Sequence, residues 1–207
     1  MADVGNADHR FGLIPLRHKN GAPYNGAGNW YYVPSTDNTA LYIGDPVVVA
    51  GSADANGYPT VTRATAAGGN YMLGPVMGVA RNAPALGGNF LSTGSIDRTI
   101  IYRAGSTAAY VFVADDPDLV FKIQEDSDTS TLSADSVGLN ADIVFTHSGS
   151  TVTGRSGCEL DSDTANTTNT LQLRILRLHD TPDNLIGDNA VWEVSINLHS
   201  QRYLTGV

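Results

Sequence analysis

The stretch from Leu41 to Ala80, LYIGDPVVVAGSADANGYPTVTRATAAGGNYMLGPVMGVA, is a series of short apolar runs cut by Gly, Pro and Asp, with no helical period in it. Leu41 to Ile43 is apolar, the chain turns at Gly44-Asp45-Pro46, and Val47 to Val49 resume the run. Thr60 to Thr65 is β-branched and mixed polar, and Tyr71-Met72-Leu73 with Val76 to Val79 supply another interrupted strand. Runs of this length, rich in β-branched residues and bounded by turn formers, predict a small, strongly bent β-barrel. The segment places no catalytic group where a reaction would need one, which points to a packing and docking protein.

The chain has 207 residues, enough for one large all-β domain or two small ones. A chain of this size buries roughly 70% of the surface its unfolded form exposes, so it needs no disulfide staples. Cys158 is the single cysteine, which leaves no internal disulfide and fits a reducing compartment. MADVGNADHR has no apolar core of a secretory signal. No apolar run approaches the ~20 residues of a membrane helix. The expectation is a soluble chain made in the cytoplasm, with no membrane partner.

Charged residues are only 16% of the chain, so much of the surface must be Ser, Thr, Asn and Gly, which are less costly to desolvate against neighbours. The net charge of −9 is concentrated: between Asp115 and Asp163 stand 11 acidic residues against Lys122 and Arg155. A solvated acidic surface is expected there. No basic run marks a nucleic-acid binder.

Residues 1–39 differ in character from the rest of the chain. Pro15, Pro23 and Pro34 and several glycines argue against a compact core element. Yet Phe11, Leu13, Ile14, Leu16, Tyr24, Trp30, Tyr31 and Tyr32 are too many large apolar groups to leave in water. Residues 1–39 are therefore read as an extended arm, either docked on a partner or folded back on its own domain. Residues 40–207 are read as a β-barrel-like domain, with a polar, acidic excursion at about 126–170. Further strands are expected at Arg98–Arg103, Ala109–Val113 and Leu119–Gln124. LSADSVGL suits one helical turn capped by Ser133. LQLRILRL alternates until it breaks register at Leu176, and VWEVSINL sets Trp192, Val194, Ile196 and Leu198 on one face. TPDNLIGDN joins those two strands as a hairpin-like loop.

Chemistry is sparse. No two of His9, His18, His147, His179 and His199 have metal-pair spacing, and no metal or other cofactor is expected. Gly154-Arg155-Ser156-Gly157 lacks the spacing of a nucleophile elbow. Gly68-Gly69 and Gly87-Gly88 read as turns, because no helix signal comes after either pair. Asp115-Asp116-Pro117-Asp118, Glu125-Asp126-Ser127-Asp128 and Asp161-Ser162-Asp163 offer oxygen ligands, but the calcium-loop pattern is missing and such residues are ordinary turn formers. Trp30-Tyr31-Tyr32 suits either an interface anchor or a stacking platform for a sugar. Arg10, Phe11, Leu13, Leu16, Arg17, Tyr24, Trp30, Tyr31 and Tyr32 are the candidate partner-binding residues.

RHKNGAPYNGAGNWYYVPSTDNTALYIGDPVVVAGSADANGYPTVTRAT, YRAGSTAAYVFVADDPDLVFKIQED and LQLRILRLHDTPDNLIGDNAVWEVSIN together resemble tailed-bacteriophage capsid decoration, or cement, proteins. The resemblance runs from about Arg10 to Asn197 and is one of overall texture and several phrases, with no catalytic fingerprint in it. It implies an all-β fold, no enzymatic activity and a place on the phage head exterior, bound to the major capsid protein. It also implies oligomers at local symmetry axes, a homotrimer first among them. A head–tail connector or tail component, and a virion-displayed carbohydrate- or receptor-binding module, are the alternatives.

Overall fold

The computed structural model describes residues 6–81 and 100–202. Arg98, Thr99, the Gly87-Gly88 pair and the tail from Tyr203 onward lie outside them. The strands in chain order are β1 (Ile14–His18), β2 (Asn29–Val33), β3 (Leu41–Tyr42), β4 (Pro46–Ala53), β5 (Pro59–Arg63), β6 (Gly74–Ala80) and β7 (Tyr102–Arg103). They continue with β8 (Ala109–Val113), β9 (Leu119–Gln124), β10 (Asn140–Ala141), β11 (Ile143–Val144), β12 (Glu159–Leu160), β13 (Leu173–Leu178) and β14 (Val191–Ile196). Among the described residues helical structure is confined to short 3-10 turns, so the fold is all-β, and none of these helices is long and apolar enough to cross a membrane.

Strands β2-β5-β4-β6-β8 close into a barrel, filled by Tyr31, Val33, Leu41, Val47, Val61, Leu73, Val76, Val111 and Val113. Strands β1-β9-β14-β13-β10 form a second, antiparallel sheet. Its inner face is Phe121, Ile123, Leu173, Ile175, Trp192, Val194 and Ile196, and Leu132, Ile143, Cys158 and Leu160 of the excursion cover it. The excursion is thus a folded layer over the sheet. The register break expected at Leu176 falls between Ile175 and Arg177 in the β13–β14 ladder. The turn expected at Ser133 is the 3-10 turn Ala134–Ser136, with the Ser136 hydroxyl accepting from the Ser133 amide at 3.0 Å.

Residues 1–39 do not form a separate arm. β1 pairs with β9 at the edge of the sheet, and β2 sits between β5 and β8 in the barrel wall. Side chains the size of Leu or Val contribute roughly 1.5–3 kcal/mol each on burial. Burying them within one chain avoids the entropy cost of recruiting a partner, which favours the folded-back arrangement. The β1 edge carries Pro15 and a bulge before Arg17, and residues 22–24 cover it through His18 N–H to Ala22 O at 2.8 Å and Tyr24 N–H to Leu16 O at 3.2 Å.

Two glycines let this segment cross the barrel. Gly12 (φ +70°) and Gly44 (φ +97°) touch backbone to backbone, and a Cβ on either would come within 2.3 Å of the other strand's carbonyl oxygen. Leu13 N–H donates to Gly44 O across the crossing at 2.9 Å.

The acidic segment is not simply a solvated surface. Asp115, Glu125, Asp126, Asp142 and Glu159 are buried, as are Asp45 and Glu193 outside it. A buried carboxylate is tolerable only when hydrogen-bonded, paired or protonated. Asp126 Oδ1 accepts from the Ser162 amide and hydroxyl at 3.0 and 2.9 Å, and Asp142 accepts from Gln172 N at 3.0 Å. Burial, outweighing the hydrogen bonds, holds both acids above their usual range. For Glu193, burial acts upward, but Arg177, His179 and Arg17 together hold it below the usual range. Glu125 is the extreme case. Oε2 accepts from Trp192 Nε1 at 2.8 Å and Leu132 N at 3.3 Å, while buried Oε1 has no hydrogen-bond partner among the described residues. Burial, with Asp126 and Asp188 nearby, pushes this acid up to about 8, so at neutral pH the proton sits on the side chain.

Because the folded acid binds its proton more tightly than the unfolded one, Glu125 lowers stability as pH rises from about 4.5 to about 8, by at most ~1.4 kcal/mol per unit. Urea melts at both ends of that window should show Glu125→Gln losing less stability with rising pH than the wild type; parallel curves would contradict it. Deleting residues 1–39 should leave no cooperatively unfolding domain by circular dichroism, because it removes a barrel stave. A soluble truncated domain with a sharp melt would show that β2 is dispensable.

Candidate docking surface

Period-two alternation in Asn29–Val33 points Tyr31 and Val33 into the barrel and Trp30 and Tyr32 outward. In β8 Phe112 is the partly exposed ring, and Tyr110, on the same side of the strand, is buried. The register sets Trp30 opposite Phe112 and Tyr32 opposite Tyr110. Their ring centroids are 5.3 Å and 5.2 Å apart, tilted by 57° and 48°. Such tilted pairs add stability beyond the area they bury. Tyr58 extends the row with an edge contact to Tyr110 at 5.4 Å.

The turn between β4 and β5 locks this end of the row. Asp54 accepts from Asn56 N at 2.9 Å, Tyr58 N at 2.8 Å and the Tyr110 hydroxyl at 2.6 Å. Desolvation, then the bond to the Asp54 carboxylate, pushes the Tyr110 phenol up to about 12, so it stays a donor. At the other end lies an apolar groove of about 320 Å³ between Tyr24, Gly26, Met77, Gly78 and Phe112. It exists because Gly78 faces Phe112 in the β6–β8 ladder and has no side chain to cover the ring. Tyr24 is held at its wall by a hydroxyl bond to Ala27 O at 2.8 Å.

The candidate residues therefore divide. Tyr24, Trp30 and Tyr32 converge on this outer face with Tyr58, Met77 and Phe112, which the sequence reading missed, while Tyr110, 7% exposed, supports Tyr32 and Tyr58 from beneath. The signal for the missed rings was the alternation of AYVFV, but their partners in β2 lie 78 and 82 residues away along the chain. Leu13 is fully buried and Tyr31 is 6% exposed, so neither can meet a partner. The Tyr31 hydroxyl donates to Asp115 at 2.6 Å, and burial together with that bond raises its pKa. Phe11 and Leu16 are half-buried on the β1 side, Arg10 pairs with Asp8 at 2.7 Å, and Arg17 with Glu193 at 2.6 Å.

The nearest approach to catalytic geometry is in the polar cleft of about 480 Å³ lined by Asp8, His9, Arg10, His147, Ser150 and Arg155. His147 Nδ1 lies 2.9 Å from buried Glu159, the base-and-orienter half of a triad. Two of the three serines there have other bonds: Ser156 Oγ donates to Asp45 and accepts from Cys158 N, and Ser150 Oγ accepts from the Val152 and Thr153 amides. No group of three or more His, Cys, Asp or Glu able to hold a metal occurs among the described residues.

A scan against protein-family models finds no match to this chain, and comparisons with curated proteins and with solved structures find none either.

Proposed function

We propose that this chain is a tailed-phage virion structural protein that binds the outer surface of the head and reinforces contacts between major capsid subunits. The observation that carries this is the outward aromatic row on the barrel wall, ending in the apolar groove beside Gly78. Aromatic anchors in a well-packed setting are the groups from which protein interfaces draw most of their energy. The low charge of the chain lowers the desolvation cost around them. The resemblance of its strand phrases to capsid decoration proteins supports the same assignment. The enrichment of Trp and Tyr at protein–protein contacts favours a protein partner over a sugar.

The test is binding to undecorated heads by co-sedimentation. Trp30→Ala with Phe112→Ala should weaken binding at least tenfold, the equivalent of ~1.4 kcal/mol or more. Gly78→Val is the milder probe: a Cβ there meets the Phe112 Cβ at an ordinary 3.8 Å, so the strand should fold while the groove is filled. Both variants bound at wild-type affinity, with native circular dichroism, would remove this face from the interface.

A further inference from the structure

Asparagine is followed by glycine at Asn20-Gly21, Asn25-Gly26 and Asn56-Gly57. All three pairs are exposed, and a Cβ on any of these glycines would meet nothing within 4 Å. An asparagine before glycine can lose its side-chain amide to attack by the next backbone nitrogen. No side chain shields that nitrogen, and the glycine backbone turns readily toward the attack. The sequence alone ranks the three sites alike. The fold does not.

The attacking nitrogen must first give up its proton. Gly21 N–H donates to His18 O at 2.9 Å, and Gly57 N–H donates to Asp54 O at 3.1 Å, so both protons are committed. Asn56 is restrained further, because its Nδ2 donates to Asp54 Oδ2 at 3.2 Å. The Asp54 carboxylate also repels hydroxide from that turn. The Gly26 N–H has no hydrogen bond among the described residues.

The carbon under attack is prepared at Asn25 as well. Asn25 Oδ1 accepts from Ala27 N at 3.1 Å. This bond closes a side-chain turn around the Gly26 peptide and so restrains the amide carbon beside the Gly26 nitrogen. It also puts a donor on the oxygen that gains negative charge during attack. Asn20 has the matching bond, from Ala22 N at 3.0 Å, but lacks the free nitrogen. Of the three sites, Asn25 combines both conditions.

We propose that Asn25 is a self-modification site, which deamidates through a cyclic imide ahead of Asn20 and Asn56. Hydroxide takes the Gly26 amide proton, the nitrogen bonds to Asn25 Cγ, and Nδ2 takes a proton from water and leaves as ammonia. Water then opens the five-membered imide at either carbonyl, leaving aspartate or isoaspartate. The reaction consumes only water. Either product sets a carboxylate on the segment that walls the apolar groove at Tyr24 and Gly26. Isoaspartate also routes the main chain through its Cβ, which shifts Ala27, the residue whose carbonyl anchors the Tyr24 hydroxyl. A carboxylate at an apolar contact is costly to desolvate, so modification weakens docking. That consequence rests on the reading of this face as the docking surface; the modification itself does not.

Peptide mapping by mass spectrometry, on the native chain held in mildly alkaline buffer, tests the site. The Asn25 peptide should gain the mass of amide-to-acid conversion roughly tenfold faster than the Asn20 and Asn56 peptides, at a rate that rises with hydroxide. In concentrated urea the three rates should converge, because only the fold ranks them. Modification led by Asn20 or Asn56 in the native chain overturns the inference, as does an unchanged ranking in urea. Aged wild type should lose affinity for undecorated heads in step with modification at Asn25, while Asn25→Gln aged alongside it should not. Aged wild type that binds undiminished, where Trp30→Ala with Phe112→Ala does not, overturns the effect on docking. If neither change weakens binding, the docking reading falls and its consequence with it, while the mapping still decides the modification.

Discussion

One carboxylate oxygen, Oδ2 of Asp115, sits where the barrel hands the chain to the sheet. It accepts from Asn29 Nδ2 at 2.8 Å, Tyr31 hydroxyl at 2.6 Å and Gln201 Nε2 at 3.2 Å. The donors come from β2 and from the turn beyond β14, so one buried charge joins the barrel wall, the β8–β9 connection and the chain's last described turn. A buried carboxylate stripped of such donors is strongly destabilising, whereas a satisfied one specifies geometry. Close packing enforces the same joint, since a Cβ on Gly74 would come within 2.0 Å of Ala114 O. With Tyr31 tied inward, the alternation of β2 leaves Trp30 and Tyr32 facing out. The docking row is in that sense a consequence of a buried bond.

A second pin works by the opposite charge. The Arg103 side chain is fully buried, donating to the carbonyls of Pro34, Asp37 and Thr107, with the Asp37 carboxylate at 3.8 Å. Carbonyl dipoles do the solvating that water would do elsewhere. They tie the β2–β3 connection to β7 and so fix the rim from which the aromatic row starts.

Most strands could be read from the chain because their signal is local. Val47–Val49, the Val76 run, Ala109–Val113, Leu119–Gln124 and the 173–196 hairpin carry apolar runs and turn residues within a few positions, and the Leu176 bulge is visible as a break in alternation. β2 has the same alternation in NWYYV, but the prolines and glycines around it argue for an arm. What decides the matter is the β8 edge waiting to be closed about 80 residues later. The buried carboxylates were illegible for a related reason. Asp45 finds Ser156, and Glu193 finds Arg17, across 111 and 176 residues. Charge counts along the chain cannot see partners brought in by register.

These features describe a chain whose barrel wall carries an outward aromatic row ending in an apolar groove. The most direct measurement is an electron cryomicroscopy map of heads carrying this protein. Capsid reinforcement predicts many copies over the shell, with the β2–β8 wall seated on capsid subunits. A map with that wall facing solvent, or with the chain confined to a few copies at the tail, would contradict it.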